Sequence, residues 1–423
     1  MRNTLWLATL PILLLSSLCA QDMSAQDISG NWQGTLKDGA TELRLIVEIS
    51  KGETGGWKAL LFSLDQASDD IPVDSVALKD SMVTLNIPAL GGSYEGKLSA
   101  DATLITGQWT QGSAAPLDFK RATKETAWDR GHDTSPHTTQ FITVDKDVKL
   151  EVLDWGGSGR PLVLLTGLGN NAHVFDSFAL KLKGSYHVYA ITRRGFGASS
   201  KPDSGYSADQ LGDDVLAVID ALKLTRPVLV GHSIAGEELS SIGSRHPEKV
   251  AGLIYLDSAY AYAYYDRTRG DFNVDLADMR RKLDQLRPGM SRDPKQLVGE
   301  LLATELPTFG RVLKEWQQSL DAMSPAELGA MATPMAGSRQ AIMEGLQKYT
   351  DIRCPILAIY ALPEKSGPTD TTADKVLAQA KALETGIPAA RVVRVPNADH
   401  YVFKSNESDV LREMNAFLAT LPK

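Results

Sequence analysis

The sequence predicts an α/β architecture with a mainly parallel sheet, carried behind a small all-β module. Three observations predict it. From about residue 141, short apolar strands alternate with helical stretches, the signature of a parallel sheet covered on both faces. Residues 28–121 instead show short alternating stretches punctuated by Gly, Asp and Ser, which describe an antiparallel sheet or small barrel. The chain's 423 residues are long for one domain and comfortable for two.

The first element is a targeting segment. Arg2 precedes the apolar run Leu5 to Leu18, and Ala20 stands before Gln21. The run is too short to span a bilayer, so residues 1–20 read as a removable signal peptide, and the protein as exported to the periplasm or secreted. An uncleaved anchor, or a lipid anchor on Cys19, is the alternative; Leu18 stands where a lipoprotein signal wants a small residue. Removal would leave Cys354 as the sole cysteine and no intramolecular disulfide.

In the β module, Glu42 to Ile49, Trp57 to Phe62, Met82 to Ile87 and Thr103 to Trp109 are the clearest strands, and Trp32, Trp57 and Trp109 are expected inside. No acid, base and nucleophile stand together there, so the module reads as accessory. Residues 122–138, with His132, Asp133, Pro136 and His137, have linker composition. The α/β domain then covers 139–423. Its expected strands are Phe141 to Val144, Leu150 to Trp155, Leu162 to Leu165, His187 to Ile191, Pro227 to Val230, Val250 to Leu256, Ile356 to Ala361 and Val392 to Val395. Helices are expected over Ser207 to Leu224, Thr372 to Thr385 and Asp409 to Leu421, and residues 260–350 are helical and Met-rich.

The net charge of -8 argues against a nucleic-acid surface. No histidine shows metal-ligand spacing, and the sequence calls for no metal and no cofactor. The strongest chemical signal is Val228 to Gly236, V-L-V-G-H-S-I-A-G. A strand ends at Gly231, Ser233 follows two residues later, and a helix begins at once. Such a turn lifts the hydroxyl above the sheet edge, beside a helix N-terminus that favours developing negative charge. A side chain at Gly231 would clash across the turn. His400 lies just past the last strand, in Pro396-Asn397-Ala398-Asp399-His400-Tyr401.

These residues resemble the α/β-hydrolase family over roughly 140–422, a resemblance that implies the α/β-hydrolase fold with a helical cap over about 260–350. The family's usual glycine two places after the serine is Ala235 here, with Gly236 just beyond. Thr166-Gly167-Leu168-Gly169 is similar to the family's His-Gly oxyanion loop, with Thr166 in place of His. By that resemblance Ser233 is the nucleophile, His400 the base, and the N–H groups of Leu168 and Ile234 the oxyanion hole. Arg193 to Ser199 looks like a family turn with a structural role and none in catalysis. The third member of the triad stays open. Asp257, after Leu253-Ile254-Tyr255-Leu256, is favoured over Glu364, the positional match after the next strand; Asp370 lies further along. Tyr260, Tyr262, Tyr264 and Tyr265 either line a substrate pocket or form the seam between cap and sheet.

The expected activity is hydrolysis of a small-molecule carboxylic ester, or a related acyl compound, through an acyl-enzyme on Ser233. Two other readings compete. Gly167-x-Gly169-x-x-Ala172, with Arg193 and Arg194 after the next strand, imitates a dinucleotide fingerprint and would make the protein an NADP-dependent oxidoreductase. A non-catalytic binding protein on a hydrolase shell is the other.

Overall fold

The computed structural model describes residues 27–422 apart from 39–40, 53–54, 65–70, 112, 129–134, 259–261, 291–292, 322–327, 329–336 and 365–371. The targeting segment with Cys19, and His132, Asp133, Tyr260 and Asp370, lie outside the described residues.

The N-terminal region is a nine-stranded antiparallel sheet in the order β4-β3-β2-β1-β9-β8-β7-β6-β5. Its strands are β1 (Gly30–Asp38), β2 (Thr41–Lys51), β3 (Trp57–Ser63), β4 (Ile71–Val73), β5 (Ser75–Lys79), β6 (Met82–Ile87), β7 (Gly92–Leu98), β8 (Leu104–Gln111) and β9 (Ser113–Arg121). Along β7 every second residue is buried, the period a pleated strand imposes when one face meets a core. Trp32, Val47, Leu61, Tyr94, Trp109 and Phe119 fill that core. The indole N–H of Trp32 donates to the Ile28 carbonyl at 2.8 Å, and the Arg121 guanidinium lies 4.3 Å from its ring centroid. Trp57 packs against that core from its margin. It opens β3 and is half-buried, with the Lys51 ammonium 5.9 Å from its ring. The first part of the expected linker stays with this sheet, since Gln33 bonds Thr126 and Trp128.

The second sheet has eight strands in the order β10-β11-β13-β12-β14-β15-β16-β17. They are β10 (Thr138–Asp145), β11 (Val148–Gly156), β12 (Pro161–Leu165), β13 (His187–Ile191), β14 (Val228–His232), β15 (Gly252–Leu256), β16 (Ile356–Leu362) and β17 (Arg391–Pro396). The hairpin of β10 and β11 is antiparallel, and β11 pairs antiparallel with β13. Every pairing from β13 to β17 is parallel. Helices α1 (Asp176–Leu182), α2 (Ala208–Ala221) and α3 (Gly236–Arg245) connect its first strands. Val163 and Leu165 pack into one core while Leu162 and Leu164 pack into another. Both faces are therefore covered, which is why these strands read as unbroken apolar runs.

Between β15 and β16 stand the cap helices α4 (Phe272–Gln285), α5 (Pro294–Glu300), α6 (Leu306–Asp321) and a helix at Gly337–Glu344. Asp271 caps α4 by accepting from the N–H groups of Asn273 and Val274. Lys348, on the return to the sheet, lies 2.9 Å from Asp275, 3.0 Å from Asp278 and 2.8 Å from Glu305, tying the cap to the domain.

Candidate active site

Strand register brings the site together. Leu165 of β12 pairs with Ile191 of β13 on one side and Gly231 of β14 on the other. The chain therefore leaves all three strands at one level of the sheet's carboxyl edge. It runs from β12 out to β13 and back across to β14, so this edge is a topological switch point, where open α/β sheets form a crevice.

Ser233 sits at the tip of the turn after β14. Its backbone is left-handed, φ +56°, a conformation costing about 1–3 kcal/mol that persists only where the surroundings enforce it. A single 3-10 turn, Ser233–Ala235, runs straight into α3. A Cβ at Gly231 would meet Leu239 Cδ1 at 2.9 Å and the Ala235 carbonyl at 3.1 Å, and one at Gly236 would meet Ser258 Cβ at 2.9 Å. The tight packing behind the serine thus falls on Gly236, which leaves room for a methyl at Ala235. The half-buried Ser233 hydroxyl makes no hydrogen bond to another described residue.

The other members arrive from β15 and β17. His400 Nδ1 lies 2.7 Å from Asp257 Oδ2. The partner is a carboxylate, which assigns the proton to Nδ1 and leaves Nε2 as the basic nitrogen. Asp257 is fixed in turn: its Oδ1 accepts from the Ala361 N–H at 2.9 Å, and its own N–H donates to the Ile359 carbonyl at 2.8 Å. Its φ is +47°, a second left-handed residue directly after a strand. The Asp257 side chain is 9% exposed and the imidazole 48%. Glu364, the competing acid, is exposed beyond β16.

His232, Asn170, Tyr401 and Gly167 hold this arrangement. His232 Nε2–H donates to the His400 carbonyl at 2.9 Å, and the two rings lie 4.7 Å apart. Burial, reinforced by the neighbouring His400, pushes the His232 pKa well below the ordinary value and keeps the ring neutral. Asn170 Nδ2 donates to the Tyr401 hydroxyl at 3.2 Å, joining the loop after β12 to the loop of His400. Gly167 is small of necessity, because a Cβ there would stand 2.8 Å from His232 Nδ1. Adjacency to Ser233 and His400 in sequence was the available signal for His232 and Tyr401.

Leu168 and Ile234 pack in one apolar cluster with Phe196, Tyr206, Tyr262 and Tyr265. Tyr265 donates to Asp275 Oδ1 at 2.6 Å and, like Tyr262, is buried, so these two tyrosines form a seam between cap and sheet. The dinucleotide reading loses its arginines. Arg193 is buried in an ion pair with Glu238, and Arg194 grips Asp214 at 2.6 and 2.5 Å, so neither guanidinium faces a phosphate. Among the described residues no group of three His, Cys, Asp or Glu could hold a metal ion. Burial pushes the Cys354 thiol up to about 11, which makes it a poor competitor as nucleophile. No helix among the described residues is long and apolar enough to cross a membrane.

The match to a family profile agrees with this architecture. The sequence profile of the alpha/beta hydrolase family matches residues 162–413, more than half of the chain. The chain is 26% identical over 275 residues to 2-(acetamidomethylene)succinate hydrolase of Mesorhizobium japonicum, covering 62% of this chain and 89% of that protein. It is 31% identical over 195 residues to 2-hydroxymuconate semialdehyde hydrolase of a Pseudomonas species, covering 44% of this chain and 66% of that one. The crystal structure of E-2-(acetamidomethylene)succinate hydrolase aligns with a TM-score of 0.44 and 21% identity, over 67% of this chain and 100% of the other.

Proposed function

The chain belongs to the α/β-hydrolase family, and on that premise we propose that it cleaves a carboxylic ester, or a related acyl compound, through an acyl-enzyme on Ser233. The observation that carries the proposal is the 2.7 Å contact of His400 Nδ1 with Asp257, one strand from a serine held left-handed at the head of a helix. In this scheme His400 Nε2 takes the Ser233 proton as the hydroxyl oxygen attacks the carbonyl carbon. Asp257 holds the imidazole in the reactive tautomer and stabilises the imidazolium that forms. The N–H groups of Leu168 and Ile234 receive the oxyanion, aided by the N-terminus of α3. His400 then returns the proton to the departing alcohol, and water repeats the sequence to free the acid and Ser233.

The N-terminal sheet is accessory to this chemistry in our reading. Export by the segment of residues 1–20 belongs to the same proposal, and N-terminal sequencing of the purified protein should begin near Gln21. Turnover across chromogenic esters of graded acyl length defines the substrate. Ser233→Ala should abolish both that turnover and covalent labelling by a fluorophosphonate, with the fold intact, because removing a half-buried hydroxyl opens no cavity. His400→Ala should lower turnover by about three orders of magnitude or more. Labelling of Ser233→Ala at the wild-type stoichiometry would remove the nucleophile from the proposal.

A further inference from the structure

The loop that carries Leu168 is held at both ends by two consecutive residues that follow β13. Thr192 Oγ1 accepts from the Ala172 N–H at 2.9 Å and donates to the buried Glu151 at 2.6 Å. Arg193 grips the other end: Nη2 donates to the Thr166 carbonyl at 2.7 Å and Nη1 to the Gly167 carbonyl at 3.3 Å. Its Nε donates to Glu238. Glu238 belongs to α3, the helix that begins behind Ser233. One planar guanidinium thus bolts the loop of one oxyanion donor to the helix that follows the other, Ile234.

The orientation follows from peptide geometry. In a trans peptide the carbonyl and the following N–H point in opposite directions. The Gly167 carbonyl is drawn onto Arg193, so the Leu168 N–H of the same peptide is turned to the opposite side. A charge-assisted bond to the carbonyl also polarises the peptide and strengthens its N–H as a donor. Stability alone gives little reason for such a bolt. Arg193 and Glu238 are 5% and 4% exposed, and a buried ion pair is often replaced by apolar residues at no loss of stability. A fork with five N–H donors, by contrast, suits the task of holding two carbonyls and a carboxylate at once.

We propose that Arg193, anchored by Glu238, is a positioning residue that orients the Leu168 peptide for the oxyanion of the tetrahedral intermediate. The inference rests on the serine-hydrolase reading above. It goes beyond the structural role that the sequence assigned to the Arg193 to Ser199 turn.

Two variants test it, because Arg193→Met alone would leave a buried carboxylate unpaired. Arg193→Lys keeps the charge but loses the fork, and Arg193→Met/Glu238→Gln removes both charges. Each is compared with wild type on a p-nitrophenyl ester, with rates normalised to sites titrated by fluorophosphonate. The expected result is kcat per titrated site lowered by about 10- to 100-fold, a displaced donor costing less than the roughly 10²–10³-fold of a deleted one, with KM nearly unchanged. Affinity for a phenylboronic acid, which forms a tetrahedral adduct on the serine, should fall by a similar factor. A merely structural role predicts fewer titratable sites and a lower Tm, but an unchanged kcat and boronate affinity per site, and that result overturns the proposal. Ser233→Ala is measured beside them. If it is inactive while the folded Arg193 variants keep full kcat per site, this inference alone falls; if it retains turnover, the serine-hydrolase reading falls with it.

Discussion

In the N-terminal sheet no charged side chain is buried among the described residues, and Ser63 is the one buried polar side chain besides the aromatic Trp32, Tyr94 and Trp109, whereas the α/β domain buries Arg193, Arg194, Asp214, His232, Glu237, Glu238 and Asp257. Left-handed backbone differs less between the two. It occurs in turns of both, at Asp80, Ser81 and Ala102 in the N-terminal sheet and at Asp147, Lys223 and Arg226 in the α/β domain, where Ser233, Asp257 and Asn397 also adopt it as β14, β15 and β17 end beside the site. The buried tyrosine of the first sheet is fully served, with the Tyr94 hydroxyl 3.2 and 3.1 Å from the carbonyls of Ile105 and Leu117. Taking an ion out of water costs several kcal/mol even after relaxation. A region that bears this cost repeatedly, in the Arg193–Glu238 and Arg194–Asp214 pairs and at Asp257, is being held to a geometry. A region that avoids it is being held only to a shape.

The largest effect that would break this contrast concerns the buried carboxylate on His400. Asp257→Asn should lower turnover by up to about ten-thousand-fold, because an amide facing Nδ1 favours the wrong imidazole tautomer. Glu364→Gln, on an exposed side chain, should leave turnover within about twofold, the ordinary scale of a surface change. Steady-state rates of the two purified variants decide the matter. Equal, modest losses in both would mean that burial does not single out the residue that orients the base.

The parallel sheet was legible in the sequence because its strands are covered on both faces and read as apolar runs. Their ends were less so. β14 extends through Gly231 and His232, poor strand formers by themselves, because parallel pairing with Leu165, Tyr255 and Leu256 holds them. Gly167 to Ala172 imitated a phosphate-binding turn, yet only a short 3-10 turn, Ala172–Phe175, precedes α1. Ser233 and His400 stood out through local patterns, a strand-turn-helix and a histidine after a strand. Asp257 was favoured over Glu364 but not fixed as the partner, since each follows one of two neighbouring strands and only the fold decides which carboxylate faces the imidazole. Arg193, His232 and Asn170 were invisible as a group, because their partners lie across strand crossings and no local pattern encodes them.

A smaller effect on chemistry, though a large one on local stability, is expected from the other side of the contrast. Trp32→Ala should destabilise the N-terminal sheet by about 3–5 kcal/mol, the usual cost of emptying a large aromatic site, since its side chain is among the largest fully buried in the molecule. Hydrogen exchange should report faster opening of residues 28–121, while ester turnover per titrated serine stays at the wild-type value. Loss of turnover in a variant whose α/β domain remains protected would assign the N-terminal sheet a part in the site.

The smallest effect sharpens the contrast within the α/β domain itself, where not every buried ionisable group serves the site. Glu237 is buried in α3, its Oε2 accepting from the Gln347 N–H at 3.1 Å while Oε1 has no partner among the described residues. Burial pushes its pKa well above the ordinary 4.5. A carboxyl raised on folding binds its proton more tightly in the folded state, so its stabilisation is complete below the unfolded value and is lost as pH rises through the folded one. His232 has the opposite sign. Its pKa is lowered from the ordinary 6.5, so its contribution is present above that value and is lost as pH falls below it. Glu237→Gln substitutes a neutral group of the same shape and removes only the first dependence. Thermal unfolding of the two proteins should therefore give nearly equal Tm values near pH 4.5 and a higher Tm for the variant at pH 8, with turnover within about twofold of wild type because Glu237 touches neither His400 nor Ser233. Parallel Tm profiles across that range would mean that Glu237 is ionised in the folded protein, and that its buried site supplies a partner for the charge.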